Sequence, residues 1–511
     1  MAGRGPSRPT EQDIFRYRYQ HGTNLGSIFV LERWLKGSMF IEGTQGSSEL
    51  AAVKRSLQTV GLEETRARWE AHWLTALTEE DFSWLRDVAK CNSIRLPIGY
   101  FTLGPTFCTG TGFDGDPAKV YLHAWSAAKH LIENCYQHGI GVLIDLHALP
   151  GGANGDSHSG TDDGQAALWN NKKYRALARD CIAFVAQEVM FHAMAGVIGI
   201  QVCNEAKWDA PGMYEWYDEV LEVTSAVDPS LPIYISDGWN LSRAIDYAMA
   251  RNKIPISIPR SPVVVDTHKY YTFSEAHRSM SPDALIAAVK SDLAQLNGRQ
   301  GDVLKQKGAI AVYIGEYSCT LDTRTWDKVS PSERPRLTKS FGQEQSRVWT
   351  SKASGSAFWT LKMDWMDGGD WGFKEQVKQG AILPPPWLGL PLDRVIAIAT
   401  DAEDKRSQLQ EKAVSEHTGY WDRTSPGVQF EHHLYAHGWD IGFNDAMVFF
   451  CARLRGTVPP GQGDGGDKIG ALDLWVRKRI IEANQQDGKC AWEWEHGLRR
   501  GVHDFYSIVG V

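Results

Sequence analysis

Between about residues 22 and 360, eight short β-rich runs alternate with longer stretches of helical period, and this alternation constrains the fold most. The runs are Asn24–Val30, Ser93–Pro97, Gly141–Asp145, Gly199–Asn204, Pro232–Asp237, Val263–His268, Ile310–Glu316 and Ser356–Trp359. Most are nearly continuous in apolar character, as a parallel strand buried on both faces requires, whereas a strand with one wet face would alternate. Between them, Val120–His138, Lys173–Phe191, Met213–Val227 and Pro282–Leu296 carry the 3.6-residue period of amphipathic helices. Eight such β runs separated by helices predict an α/β chain folded as a (β/α)8 barrel over residues 1–386. Leu35–Ala76 reads as a helical insertion between the first two strands.

After Pro384-Pro385-Pro386 the β pattern stops. Residues 387–511 read as a helical extension of three to five helices, with Trp421, Phe430, Tyr435, Trp439, Phe443, Phe449 and Phe450 at helical spacing. A freely swinging module would expose more aromatic surface than monomers tolerate, so the extension is expected to pack on the barrel. Were it to reach the barrel mouth, it would wall off one end of a cleft.

Composition removes several classes of function. A net charge of −8 opposes nucleic-acid or anionic-membrane binding, which need a basic surface. No apolar stretch approaches the roughly 18 residues of a membrane span. The arginines near the N-terminus precede no apolar segment, and the eight cysteines form no Cys-x-x-Cys pair. These features predict a reduced, cytoplasmic protein, with unconventional secretion left open. Twenty Trp, 17 Tyr and 18 Phe suit flat stacking surfaces for sugars as well as a core.

In such a barrel, chemistry collects where strands end. The run ends offer Arg95, Asp145 with His147, Asn204-Glu205, Asp237 with Trp239, His268 with Tyr270, Glu316 and Trp359. Glu205 and Glu316, on the fourth and seventh strands, would face each other across the mouth. Paired carboxylates there suit cleavage of a glycosidic bond, one protonating the leaving oxygen and the other attacking the anomeric carbon. A single rim glutamate would be read as a salt bridge. Asn directly before Glu at one tip, with a second Glu three strands later, points to catalysis.

Arg95, His147, Asn204, Glu205, His268, Tyr270, Glu316 and Trp359 resemble, in order, the signature of glycoside hydrolase family 5. His21-Gly-Thr-Asn-Leu-Gly26, Arg95-Leu-Pro-Ile-Gly99, Asp145-Leu-His147 with the following Pro-Gly-Gly-x-Asn-Gly155, and Ile314-Gly-Glu316-Tyr-Ser look most like its fungal exo-β-1,3-glucanase branch. Ala206 and Tyr317 depart from that branch, which has Pro and Trp there. The resemblance implies a retaining β-glycosidase with Glu205 as acid/base, its pKa raised by burial and by the second carboxylate, and Glu316 as nucleophile beside Arg95 and Tyr270. It also implies that Asn204 binds the sugar 2-hydroxyl, that His147 and His268 orient the carboxylates or bind hydroxyls, and that Trp359 floors the first sugar site. Trp365, in a loop of two Trp and three Asp after the last strand, is expected to line the entrance.

Other patterns carry less. Gly110-Thr-Gly-Phe-Asp-Gly115 lacks the strand before and the apolar helix after that a dinucleotide site needs. Glu431-His432-His433 with His437 reads as a packed or solvated helix, so no metal and no cofactor are expected. The expected partner is a carbohydrate, a β-glucoside or β-glucan. A glucosidase for a steryl, lipid or diglycoside aglycone is the alternative within this chemistry, and a catalytically silent sugar-binding protein the alternative outside it.

Overall fold

The computed structural model describes residues 6–256 and 258–510. Eight parallel strands close into a barrel in sequence order: β1 (Gln20–Asn24), β2 (Ser93–Gly99), β3 (Gly141–Ala148), β4 (Val197–Gln201), β5 (Ile233–Ser236), β6 (Val263–Lys269), β7 (Val312–Tyr317) and β8 (Gly355–Phe358). β8 pairs back onto β1, which leaves no sheet edge. The longer crossover helices are Glu79–Asp87, Ala124–Gln137, Lys172–Phe191, Met213–Val227, Leu241–Arg251, Pro282–Val289 and Arg334–Lys352. Every strand residue is buried except the last two of β6, so the apolar runs report strands covered on both faces.

Several boundaries differ from the sequence reading. The first strand is Gln20–Asn24 and not Asn24–Val30. Gly22 explains the miss: a Cβ there would lie 1.9 Å from Ser93 O, so this strand is chosen by close backbone approach and not by apolar side chains. Arg95 is not at a strand tip but third of the seven residues of β2, fully buried inside the barrel. The stretch Val120–His138 divides into Asp116–Val120 and Ala124–Gln137, and Pro282–Leu296 is helical only to Val289 before a 3-10 turn at Ala294–Leu296. The insertion contains a helix, Glu49–Leu74, broken at Gly61 with φ of 81°. Its buried Glu49 accepts hydrogen bonds from Leu31 N–H (2.5 Å), Trp69 Nε1 (2.6 Å) and the Tyr121 hydroxyl, tying the loop after β1 to the insertion.

The extension contains four helices, Leu392–Thr424, His432–Phe450, Leu472–Glu482 and Ala491–Val509. The second and fourth cross at glycines: a Cβ on Gly438, Gly442 or Gly497 would lie 2.0 Å from a carbonyl oxygen of the facing helix, and one on Gly501 would lie 2.1 Å away. Four-residue spacing on each helix puts each pair on one face, so the backbones meet with nothing between them. These helices share a hydrophobic cluster with the Glu11–Tyr17 helix and with Leu143, Ile198, Tyr234, Val264 and Tyr313 of the barrel strands.

Contact is made at the end opposite the strand tips. Arg18, wholly buried, donates to Asn92 O (2.6 Å) and Gly139 O (2.9 Å), just before β2 and β3, and pairs with buried Asp467 of the extension at 3.4 Å. Tyr19 N–H donates to Lys468 O at 2.7 Å, and Glu495 accepts the N–H groups of Val303 and Leu304 ahead of β7. The extension therefore sits away from the mouth, which overturns the idea that it walls off the cleft. Among the described residues, no helix is long and apolar enough to cross a membrane.

Truncation after Pro386 would uncover this cluster, so the shortened chain is expected to be insoluble or to melt well below the full chain. A soluble, active product with unchanged Tm would refute that role. In the full chain, Gly501→Val should lower Tm clearly, since a helix backbone stands where its side chain would go; circular dichroism melting reads this.

Candidate active site

Arg95 brings the strand ends together. Its Nε donates to Gln201 Oε1 (2.8 Å), Nη1 to Asn24 Oδ1 (2.9 Å) and Glu316 Oε1 (2.9 Å), and Nη2 to Asn204 Oδ1 (2.7 Å), with Asp145 Oδ2 3.0 Å from Nη2. A guanidinium has five N–H groups, and five acceptors surround this one. Asn24 in turn donates to the carbonyls of Gly315, Ala357 and Phe358, binding β1 to β7 and β8. Register slips between Ile314 and Tyr317 along β8, and such irregularities re-aim side chains. Gly315 lies in that slip, where a Cβ would stand 2.1 Å from Asp266 Oδ1.

Glu316 is buried, with Oε1 on Arg95 and Oε2 accepting the Tyr270 hydroxyl at 2.8 Å. Burial and the charge of Glu316 push the Tyr270 hydroxyl well above its ordinary range, which keeps it a donor. Glu205 lies in the loop four residues past the end of β4, not at the strand tip, in a left-handed conformation with φ of 43°, a strained backbone for a non-glycine residue. Its carbonyl accepts Asn154 Nδ2 (3.0 Å), and the next N–H, Ala206, donates to Ser236 Oγ (3.1 Å). Proline at position 206 could not make that bond. Glu205 Oε1 lies 2.8 Å from His268 Nδ1, and Oε2 lies 3.4 Å from His158 Nε2. One carboxylate oxygen of Glu205 and one of Glu316 are within 4.8 Å of each other, with His268 between them.

The charge state of Glu205 corrects the sequence reading. Burial favours the neutral acid, but the His268 hydrogen bond and the charges of His268 and His158 outweigh it and hold the carboxyl at about 2. His268 carries the complementary change. Burial opposes its charge, yet Glu316 and Asp266, the latter 3.0 Å from Nε2, hold it well above the usual histidine range. The proton expected on Glu205 thus rests on its partner in the free site. His147 is pushed the other way, mainly by burial and then by His158 and Arg95. It is neutral, with Nδ1 2.7 Å from Asp145 Oδ2 and Nε2 3.4 Å from Asn204 Nδ2. Burial raises Asp145 to about 7 against the pull of Arg95.

Trp359 is buried with its ring parallel to His147, centroids 5.8 Å apart at 9°. Trp365 is half exposed and donates Nε1 to Trp34 O at 2.6 Å. Rings run onward from Trp365 to Trp34, Trp371, Tyr270 and Phe273, with neighbouring centroids 5.3–6.1 Å apart, to form one wall of the mouth. Trp239, at the β5 end, is exposed.

All eight signature residues are thus held in one network or against it. Sequence reasoning missed five others: Asn24, Gln201, Asp266, Glu32 and His158. Gln201 shares the Arg95 network, and Asp266 lies two residues before His268, so strand alternation was a usable signal for it. Glu32 and His158 lie on loops where no period applies. Burial lifts the Glu32 carboxyl to about 7, partly opposed by His158 and a Trp34 Nε1 hydrogen bond. The Gly110–Gly115 turn is closed by its own Asp114, whose carboxylate accepts Gly110 N–H at 2.9 Å and Gly115 N–H at 2.8 Å.

Known proteins share this architecture. The cellulase model, glycosyl hydrolase family 5, matches residues 54–350, and the model of a glucan 1,3-beta-glucosidase 3 C-terminal domain matches residues 402–509. The chain is 31% identical over 494 residues to glucan 1,3-beta-glucosidase 3 of Schizosaccharomyces pombe, covering 96% of this chain and 95% of that protein. It is 30% identical over 519 residues to an uncharacterized glycosyl hydrolase of Saccharomyces cerevisiae, covering 98% and 94%. The crystal structure of rutinosidase from Aspergillus niger is similar in fold, with a TM-score of 0.53, 17% identity, and 72% of this chain and 98% of that one covered.

The link between Glu205 and His268 is directly testable. In His268→Gln the positive neighbour disappears, so the Glu205 carboxyl should rise from about 2 to above its ordinary 4.5 as burial prevails. Carbon NMR of labelled glutamate would follow it; a value still near 2 would refute the charge assignment.

Proposed function

The chain belongs to glycosyl hydrolase family 5, and on that basis we propose that it cleaves β-linked glucose, as an exo-β-1,3-glucanase does, by double displacement with retention. The observation that carries the mechanism is the carboxylate spacing. One oxygen of each carboxylate within 4.8 Å of the other is consistent with direct attack, for which carboxyl groups stand about 5–5.5 Å apart and not the about 6.5–9.5 Å of an inverting site.

Glu316 is the nucleophile. Arg95 and Tyr270 each hold one of its oxygens, which aims a lone pair at the anomeric carbon. As the Glu316–carbon bond forms, the bond to the leaving oxygen breaks and that oxygen takes a proton from Glu205. The proton is held at the 2.8 Å Glu205–His268 contact. Substrate displaces water from the carboxylate, favours its neutral form and draws the proton from His268 to Glu205. In the second half, ionised Glu205 removes a proton from water, the hydroxide attacks the same carbon, and Glu316 leaves. Two inversions return the β configuration. Asn204, fixed by Arg95, binds the 2-hydroxyl, His147 orients Asn204, and Trp359 floors the first sugar.

Glucan specificity is supported by the Schizosaccharomyces pombe relative and by the second family model, both named for glucan 1,3-beta-glucosidase. The ring wall from Trp365 to Phe273 suits stacking of a sugar beyond the scissile bond. Converged glutamates speak against a silent binding protein. Eight free, buried cysteines support a reducing compartment such as the cytoplasm.

Glu316→Gln and Glu205→Gln should each lower kcat on laminaribiose by several powers of ten with little change in Tm. Azide added to Glu205→Ala should yield a β-glucosyl azide, since a small anion needs no general base. NMR of the first product should show the β anomer; an initial α anomer would sink the mechanism.

A further inference from the structure

The histidines near residue 432 do not pair along their helix. His433 and His437 are exposed, and His437 Nδ1 accepts Trp494 Nε1 at 3.2 Å. The fold instead brings His432 to His417 of the Leu392–Thr424 helix and to Glu493 of the Ala491–Val509 helix. His417 Nε2, His432 Nδ1 and a Glu493 oxygen lie within 4.8 Å of one another. We propose that these three side chains form a site for a divalent transition-metal ion of the zinc class, clamping three helices of the extension.

Hydrogen-bond arithmetic around His432 supports this. Nδ1 is 2.7 Å from Glu493 Oε2, and Nε2 is 3.3 Å from Asp422 Oδ1. A neutral imidazole has one N–H and cannot donate to two carboxylates. With the N–H on Nε2 toward Asp422, the Nδ1 lone pair faces Glu493, and either a second ring proton or a metal cation between them is needed to satisfy both. An imidazole whose far nitrogen donates to a carboxylate is the usual arrangement of a metal-bound histidine. His417 Nε2 faces the same Glu493 oxygen at 2.9 Å. The other Glu493 oxygen accepts Glu431 N–H at 2.8 Å, which leaves Oε2 for the ion.

The ligands are held for that purpose. Glu493 is wholly buried. The His417 ring stacks on Tyr435, with centroids 3.8 Å apart, and His432 stacks on Phe430 at 5.4 Å. Zinc bonds of about 2.0–2.2 Å in a tetrahedron place donor atoms about 3.3 Å apart, so each imidazole need retreat only about half an ångström. Cys490, N-cap of the same helix, turns its thiol to Gln429 O at 3.8 Å, so water would supply the fourth donor. Two imidazoles and a carboxylate match zinc better than the all-oxygen sets of calcium or magnesium.

The test uses untagged full-length protein stripped with chelator, because the catalytic trio Glu205, His268 and Glu316 is also compact. Titration with Zn(II) against a chromophoric chelator should show one equivalent bound, Tm should rise on binding, and Co(II) should give the visible bands of a tetrahedral site. Glu316→Gln should keep this binding. His432→Gln should weaken it by more than the roughly 10–100-fold that loss of an outer-shell partner costs, without loss of glucosidase activity. Should His432→Gln fail to fold, Glu493→Gln and the wild-type Co(II) spectrum serve instead. No tight binding and no Tm change in wild type would overturn the proposal and leave a purely hydrogen-bonded triad. Binding lost in Glu316→Gln but kept in His432→Gln would overturn it equally.

Discussion

The buried guanidinium of Arg95 is the constraint on which the active end of the barrel depends. Removing such a group from water is tolerable only if its donors are met, and partners from β1, β3, β4 and β7 meet them. The same bonds that neutralise the arginine therefore set Asn204 and Glu316 in place. Lysine could not do this, because three donors on a point charge do not span that fork. The geometry of the candidate site is a by-product of satisfying one buried cation.

A second electrostatic layer decides where the proton rests. Glu205 and Glu316 cannot both be ionised so close together without compensation, and His268, backed by Asp266, provides it. The outcome is a carboxylate–imidazolium pair in the free site in place of a carboxylic acid with a raised pKa. Burial and the second carboxylate alone would have produced the latter. His268 and His158 beside Glu205 reverse the sign.

Stability and chemistry are placed at opposite ends. The strand-tip end carries buried charge and a strained Glu205 backbone, while the far end is closed by the Glu11–Tyr17 helix, the Arg18–Asp467 pair and the glycine-packed helices of the extension. The strain at Glu205 persists because local bonds to Asn154, Ser236 and His268 fix it.

The sequence by itself determined the barrel, the helical nature of the extension and the ordered set from Arg95 to Trp359. Strand burial on both faces and side-chain alternation are local properties that a linear pattern records. It misplaced β1, because close backbone approach at Gly22 leaves no apolar trace, and it put Arg95 at a tip when the strand runs on to Gly99. Glu32, His158 and the meeting of His417, His432 and Glu493 had no linear signal, since loops and separate helices bring them together. The tertiary structure alone decided the proton's position and the end of the barrel on which the extension sits. Both depend on distances between residues far apart in the chain, and Coulomb energy and burial follow distance in space, not separation in sequence.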